Sequence, residues 1–227
     1  MQLDVLPELE FEFSLKPSDI EEFSNLLVDF EGHAIIWDDD AEEKIVARLK
    51  GHRLDIASAR KSFDDLRELF DSISPEISDL GAHIISDNNC FVESFSKDEP
   101  EKTPCGSLVY IDELVVDPDF RNRSIGTEML KRMSQVVDLN KTLVALKAYP
   151  IIDDESEERT PELKKQLKHF YSKLGFRHSG EHYMVKDARD CYAQRMRTLA
   201  EEGLTEHQLN KAFLSEKEDN TSHRQLA

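Results

Sequence analysis

The clearest pattern of hydrophobic and polar positions lies between Ser107 and Lys186. Residues 108–116 are apolar on both faces, which predicts a strand buried in the middle of a sheet. A polar turn follows, and apolar residues at helical spacing then predict a helix that begins near Ser124–Gly126. Three further elements are predicted in the same way, namely a strand over Thr142–Tyr149, a helix from Thr160-Pro161 to a stop at Gly175, and a strand over His182–Lys186.

The first half of the chain has weaker patterns. The stretch SDIE at Ser18 resembles a capping box and predicts a first helix of about three turns through Phe23, Leu27 and Phe30. Ser74-Pro75-Glu76 predicts another helix start, with an N-cap followed by proline and an acid. The other predictions are strands over Lys44–Leu49 and Arg53–Ile56 around a turn at Gly51, a helix after Ser62, a strand over Cys90–Phe95, and an exposed loop over Ser96–Gly106.

The order of these elements predicts an α/β fold with a mixed sheet of about six or seven strands and helices on both faces. We expect residues 1–40 to form an N-terminal extension and residues 41–187 to form the main domain. Residues 188–227 carry two helical patterns and a polar end, which predicts a helical tail whose last ten or so residues are disordered. That tail could pack on the domain or pair two protomers.

The net charge argues against two classes of partner. The chain of 227 residues has 29 basic and 47 acidic side chains, a net charge of −18. Such a surface repels phosphate backbones and acidic lipid headgroups, so we expect neither nucleic-acid nor membrane-surface binding. There is no apolar run of about 20 residues and no basic start typical of a signal peptide, so we expect a soluble, cytoplasmic protein.

The acidic excess lies almost entirely in residues 1–105, which have 10 basic and 26 acidic side chains. Residues 106–187 are nearly balanced, with 13 basic and 14 acidic side chains. Charge asymmetry of this kind concerns partners more than fold. The first half therefore faces either a cationic partner or only water, and the second half can receive an anionic ligand.

No metal site is expected from the sequence. The three cysteines, Cys90, Cys105 and Cys191, lack the spacing of zinc ligands, and the histidines show no paired helical spacing. The acidic run Asp38-Asp39-Asp40 lacks the interleaved ligands and the glycine of a calcium loop.

Two adjacent carboxylates and a basic turn are the candidates for chemistry. Asp112 and Glu113 interrupt the apolar strand, and strand alternation predicts that they point to opposite faces, with Asp112 on the side of Leu114 and Val116. After the strand, residues 121–127 (RNRSIGT) lie at a predicted helix N-terminus, where unpaired backbone N–H groups and two arginines favour a phosphate or pyrophosphate. The alternative is a basic turn whose arginines pair with surface acids.

The run from Ser107 to Lys186 resembles the GNAT acetyltransferase superfamily. Its Arg121-Asn122-Arg123-Ser124-Ile125-Gly126 matches the family's Arg/Gln-x-x-Gly-x-Gly/Ala turn, and Phe170-Tyr171 with Gly175-Phe176 matches a second signature. The resemblance implies a GNAT-like acyl-CoA N-acyltransferase fold with acetyl-CoA as co-substrate and an amine as acceptor.

The resemblance also implies roles for individual residues. Tyr171 would protonate the departing CoA thiolate, and either Asp112 or Glu113 would act as the general base, directly or through a water. One acid could instead pair with an arginine in the core. The residues expected to bind acetyl-CoA are the main chain of Leu114, Val115 and Val116 and the turn of Arg121, Asn122, Arg123, Ser124, Ile125, Gly126 and Thr127.

Two functions remain open at this stage. The first is an acetyl-CoA-dependent N-acetyltransferase that transfers the acetyl group directly to an amine, for example a cationic small molecule or peptide. The second is a catalytically inactive GNAT-like module that binds acyl-CoA or a protein partner, suggested by Ser124, where the family usually has glycine. A homodimer is compatible with either function.

Overall fold

The computed structural model describes residues 9–37, 42–86, 91, 105–139, 141–150 and 160–188. These residues form seven strands: β1 (Leu9–Pro17), β2 (Leu27–Trp37), β3 (Glu43–Asp55), β4 (Ser107–Val116), β5 (Thr142–Lys147), β6 (Arg177–Ser179) and β7 (Tyr183–Asp187). They also form five α-helices: α1 (Ile56–Ser62), α2 (Leu66–Ile73), α3 (Pro75–Ile84), α4 (Ile125–Val136) and α5 (Pro161–Lys173).

All seven strands belong to one mixed sheet in the order β1-β2-β3-β4-β5-β7-β6. Every neighbouring pair is antiparallel except β4 and β5, which are parallel. The predicted α/β class with a mixed sheet is therefore confirmed. The strands of residues 9–37 lie in this same sheet, where β2 pairs with β3 along its whole length.

The sheet separates two hydrophobic clusters. Leu108 and Tyr110 of β4 pack with residues of α1, α2 and α3. Val109 and Ile111, the alternate residues of the same strand, pack with residues of α4 and α5. Since successive side chains of a strand point to opposite faces, α1–α3 cover one face of the sheet and α4–α5 the other. No described helix is both long and apolar enough to cross a membrane.

The predicted first helix is wrong. Residues 21–23 form only a short 3-10 helix, and Leu27 and Phe30 lie in strand β2. Both side chains are buried, but on opposite faces of the sheet, Leu27 in the α1–α3 cluster and Phe30 in the α4–α5 cluster. Pairing of β2 with strands on both sides outweighs the local helical spacing, because that pairing satisfies the backbone and buries side chains on both faces.

The predicted turn at Gly51 is also wrong, because Gly51 lies within the continuous strand β3. A Cβ at this position would lie 2.3 Å from the Tyr110 carbonyl oxygen and 2.5 Å from Cζ of Phe30. The glycine is therefore needed for close approach between strands and not for a turn. Ile56, predicted as the end of a strand, is instead the first residue of helix α1.

The remaining predicted helices and strands that fall on described residues agree with the structure in type and approximate position. Helix α3 begins after Ser74, whose side chain accepts a hydrogen bond from the Ile77 amide at 3.1 Å. Helix α5 ends before Gly175, which has a φ of 87°. The strand β6 was not predicted. The predicted strand over Cys90–Phe95, apart from Phe91, most of the loop after it, the acidic run Asp38-Asp39-Asp40 and the tail helices lie outside the described residues.

Candidate active site

Strand β4 loses one of its two neighbours halfway along its length. Its pairing with β5 runs from Ser107 to Ile111 and ends there. Its pairing with β3 continues to Val116. Over residues 112–116, the backbone groups that face the β5 side therefore have no strand partner among the described residues. A gap opens in the sheet at this point, beside Leu114–Val116.

A β-bulge lies at the start of this gap. Lys50 of β3 pairs with Glu113 whereas the next residue, Gly51, pairs with Ile111, so Asp112 is an extra residue in β4. A bulge bends the strand and re-aims the side chain of the extra residue. It gives a physical reason for the divergence of β4 from β5.

The bulge overturns the predicted orientation of the two acids. Asp112 contacts His52 and Glu113 contacts Arg48, and these two partners are four residues apart in a regular stretch of β3, so they share a face. That face is the α1–α3 side, since Leu54 follows His52 by two residues and packs there. Leu114 and Val116 instead pack on the α4–α5 side. Simple alternation fails because it assumes a regular strand.

Each acid has a basic partner on the neighbouring strand. Oδ2 of Asp112 is 2.9 Å from Nε2 of His52, and Oε1 of Glu113 is 3.8 Å from Nη1 of Arg48. The second nitrogen of His52, Nδ1, is 2.7 Å from Oδ1 of Asp29 on β2. Burial alone would lower the pKa of His52, but the hydrogen bonds and charges of Asp112 and Asp29 outweigh it and raise the pKa to about 9.

His52 is the functional candidate that sequence reasoning missed. The sequence pattern places His52 in a turn around Gly51, and neither Asp29 nor Asp112 is near it in sequence. Only the pairing of three strands brings the three side chains together. If residues 43–55 were predicted as one continuous strand, His52 would be expected beside Asp29. The bulge at Asp112 would still not be predicted.

The basic turn lies at the end of the gap, as the sequence predicts. After a 3-10 helix at Pro118–Phe120, Asn122 and Ser124 adopt left-handed conformations with φ of 62° and 64°. Ser124 is the N-cap of α4 and makes no side-chain capping hydrogen bond, so it leaves first-turn amides of α4 unoccupied by its own side chain.

Both arginines of the turn are exposed and close to the end of β4. Nε of Arg121 donates to the Val116 carbonyl at 3.0 Å, and the guanidinium of Arg123 lies 5.5 Å from the ring centre of Phe120. Arg121 thus already occupies one main-chain acceptor among the residues predicted to bind the cofactor. The alternative of pairing with surface acids finds no support in the ion pairs of the described residues, none of which includes either arginine.

Gly126 faces apolar side chains of both β4 and α5. A Cβ at Gly126 would lie 3.6 Å from Val116, 3.7 Å from Phe170 and 3.8 Å from Leu114 side-chain atoms, all ordinary contact distances. The first turn of α4, the one-sided part of β4 and the residue before Tyr171 therefore line one region of the α4–α5 side.

Tyr171 is buried in the cluster that contains Ile111 and Leu114. Its ring makes edge contacts with Phe170 and Phe176, at centroid distances of 5.0 and 5.7 Å. Burial raises the pKa of Tyr171 to about 12. The hydroxyl therefore retains its proton at neutral pH. Tyr171 and the pair of acids flank β4 from opposite faces of the sheet.

Two further tyrosines lie on the α1–α3 side near Asp112. The hydroxyl of Tyr183 donates to Oδ2 of Asp79 at 2.9 Å and is 3.1 Å from the carbonyl oxygen of Glu76. Tyr110 is buried, and burial together with the charges of Tyr183 and Asp112 raises its pKa. The described part of the chain contains no group of three or more His, Cys, Asp or Glu side chains that could hold a metal ion.

Comparison with known proteins gives one family match. Residues 84–178 match the family model described as the acetyltransferase (GNAT) domain. This range contains β4, the basic turn and Tyr171, the features quoted for the resemblance above. A search of curated proteins gives no match.

Several solved structures are similar at low sequence identity. One is Arabidopsis thaliana NAA60 in complex with acetyl-CoA, at 16% identity and a TM-score of 0.38, covering 78% of this chain and 97% of that one. A Staphylococcus aureus acetyltransferase of the GNAT family has 14% identity and a TM-score of 0.30, covering 70% and 67%. The KacTA–DNA complex has 11% identity and a TM-score of 0.37, covering 82% and 99%.

Proposed function

Because residues 84–178 match the model of the GNAT acetyltransferase domain, we propose that this chain is an acetyl-CoA-dependent N-acetyltransferase that transfers the acetyl group directly to an amine. The observation that carries the proposal is the arrangement around the second half of β4. A strand with one open side runs into an uncapped helix N-terminus flanked by two arginines, and Tyr171 packs beside that strand.

The residues present suit two parts of acetyl-CoA, the pyrophosphate and the pantetheine arm. First-turn amides of α4 with Arg121 and Arg123 supply donors for a pyrophosphate. The open side of Leu114–Val116, apart from the Val116 carbonyl that accepts from Arg121, supplies main-chain groups for the amides of the pantetheine arm. Ser124 already adopts a left-handed conformation that glycine adopts readily, so its presence does not change the path of the turn.

The chemistry needs one proton acceptor and one proton donor. The amine nitrogen forms a bond to the thioester carbonyl carbon, the carbon–sulfur bond breaks, and its electron pair goes to sulfur. Tyr171, protonated at neutral pH, is suited to give its proton to that sulfur. Asp112 or Glu113, on the opposite face of the sheet, is suited to receive a proton from the amine.

The charge distribution favours a cationic acceptor. The acidic excess of residues 1–105 includes Asp29, Glu76 and Asp79, which lie on the α1–α3 side with Asp112. A negative field on this side would steer an alkylammonium group toward β4. The expected acceptors are therefore small diamines, polyamines or lysine side chains in peptides.

The test begins with thermal unfolding in the presence of millimolar acetyl-CoA. A ligand at 100 times its dissociation constant adds about 2.7 kcal/mol, which corresponds to a rise of roughly 5–10 °C for a chain of this size. Arg121→Ala and Arg123→Ala should each weaken binding by about tenfold, as expected for loss of a charge-assisted contact. Lys131→Ala, which removes an exposed charge later on α4, is the matched control and should bind normally.

Turnover is then measured as release of the CoA thiol with butylamine, 1,5-diaminopentane and spermidine. Tyr171→Phe keeps the buried ring and should lower kcat about 100-fold while leaving the acetyl-CoA-induced shift unchanged. A shift without turnover on any amine would favour the inactive acyl-CoA-binding module. Absence of a shift would contradict the cofactor site itself.

A further inference from the structure

His52 links three strands at the bulge through hydrogen bonds from both of its ring nitrogens. Nδ1 lies 2.7 Å from an oxygen of Asp29, and Nε2 lies 2.9 Å from an oxygen of Asp112. A neutral imidazole has only one N–H, whereas both contacts here are to carboxylate oxygens, which accept only. Two donated hydrogen bonds therefore require the imidazolium form, which agrees with the pKa of about 9 for His52.

Three other cations on this face have acidic partners of their own. Lys16 pairs with Asp19 at 2.6 Å, Lys50 with Glu31 at 3.2 Å, and Arg48 with Glu113 at 3.8 Å. The titratable side chains nearest to His52, apart from its two partners, are on the neighbouring strands: Lys16 on β1, Glu31 on β2, Lys50 on β3, and Tyr110 and Glu113 on β4. Lys147 of β5 also lies on this face, with its Nζ 5.8 Å from the ring centre of Tyr183. Among the described residues, the cation in an ion pair with Asp112 is His52.

The two candidate acids differ in their relation to the gap. Asp112 is the first residue after the last pair between β4 and β5, and as the extra residue of the bulge it has no partner on β3. Its Oδ2 is fixed by a hydrogen bond of 2.9 Å, so Oδ1 is the oxygen left for a ligand. Glu113 is one residue farther along, in register with Lys50, and its contact with Arg48 is looser.

We propose that His52 is a positioning residue, which holds the Asp112 carboxylate at the start of the gap so that Asp112, and not Glu113, receives the proton of the attacking amine. This inference rests on the proposed acetyltransferase function and specifies its base. The proton moves from the ammonium nitrogen to Oδ1 of Asp112, which leaves the nitrogen lone pair free for attack on the thioester carbonyl. The imidazolium also offsets the repulsion between Asp29 and Asp112, so loss of its proton should disturb the orientation of Asp112.

The proposal predicts a specific pH dependence. Asp112 receives the proton of the bound ammonium only while it is held in place, and His52 loses its proton near pH 9 and with it one of its two hydrogen bonds. The wild-type kcat with 1,5-diaminopentane should therefore fall above about pH 9. His52→Gln can donate one hydrogen bond without a titrating charge. Its kcat should be about tenfold lower at pH 8, within the range of a misplaced catalytic group, and should not fall above pH 9.

Three other variants complete the experiment. Asp112→Asn should lower kcat about 100-fold, and Glu113→Gln should have a smaller effect. Glu31→Gln, the matched control, removes a cross-strand pair with Lys50 from the same face and should retain the wild-type profile. The acetyl-CoA-induced shift in unfolding temperature, measured for every variant, shows that each is folded and binds the donor.

NMR titration of the His52 ring gives a readout that does not depend on turnover. Its midpoint should lie near pH 9 in the wild type and move toward the ordinary value of about 6.5 in Asp112→Asn. A His52→Gln protein that keeps both the wild-type kcat and its fall above pH 9 would overturn the inference alone, as would a loss in Glu113→Gln equal to that in Asp112→Asn. A wild-type protein that releases no CoA with any amine would overturn the proposed function, and the inference with it.

Discussion

The two halves of β4 are both largely apolar in sequence but differ in strand pairing and in burial. Residues Ser107–Ile111 pair with β3 and β5 and are all buried. Residues 113–116 pair with β3 alone, and residues 112–116 are exposed or half-buried. The candidate site lies along the second half, since a ligand can reach only backbone groups and side chains that the fold leaves without neighbours. A strand paired on both sides gives stability, and the same strand paired on one side gives a binding surface.

The boundary between the two halves depends on one close contact. At the bulge, Gly51 of β3 lies against the Tyr110 carbonyl, directly before the point where β4 leaves β5. A side chain on β3 at this position would keep the strands apart. The glycine thus allows the paired half to be tightly packed up to the residue at which the open half begins.

The largest expected effect comes from breaking this contact with Gly51→Ala. The added Cβ would lie 2.3 Å from the Tyr110 carbonyl oxygen, so the backbone of β3 or β4 must move. We expect a loss of about 3 kcal/mol or more in the free energy of unfolding, and a fall of roughly 6–12 °C in Tm by calorimetry.

Gly106→Ala is the matched control. Its Cβ would meet only Lys141 atoms at 3.6 and 3.8 Å, which are ordinary contacts. We expect a change within about 1 kcal/mol. Equal losses in the two variants would mean that the tight approach at Gly51 does not determine the stability of the strand pair.

A second prediction compares the two halves through the same type of substitution, valine to alanine, made once in each half. Val109 has no exposed surface and lies in the half paired on both sides, whereas Val115 is half-buried in the open half. Val109→Ala should cost about 2–3 kcal/mol, because it removes buried methyl groups and leaves a cavity. Val115→Ala should cost less than about 1 kcal/mol. Denaturant unfolding measures both, and equal costs would contradict the distinction drawn between the halves.

Features that depend on local sequence were predicted well. The start of α4, the N-cap of α3 and the stop at Gly175 each follow from residues adjacent in the chain. The apolar run of β4 also predicted a central strand, because two-sided burial leaves a continuous pattern. The basic turn and Tyr171 were located for the same reason, through motifs confined to a few positions.

Features that depend on pairing between distant strands were not predicted. Phe30 and Leu27 repeat at a spacing compatible with a helix, and only the neighbours β1 and β3 make that segment a strand. The bulge at Asp112 is a property of two strands in register, so alternation within one strand gave the wrong face. His52 could not be recognised because its two carboxylate partners come from separate strands.

The smallest expected effect concerns the turn that follows the open half. Ser124 has a φ of 64°, a left-handed conformation that costs a residue with a Cβ about 1 kcal/mol. Glycine removes this strain but adds freedom to the unfolded chain, so Ser124→Gly should stabilise the protein by about 0.5 kcal/mol. The expected rise in Tm is roughly 1–2 °C by calorimetry.

Asn122→Gly is the control for this prediction. Asn122 has a similar φ of 62°, but asparagine tolerates the left-handed region better than serine, so the gain should be smaller or absent. If Ser124→Gly instead destabilises the protein, contacts of the serine side chain outweigh the backbone strain. If it stabilises the protein and also strengthens acetyl-CoA binding, the serine weakens the cofactor turn. In that case the open half of β4, which lacks a second strand partner, leads into a turn with backbone strain. The paired half has neither feature.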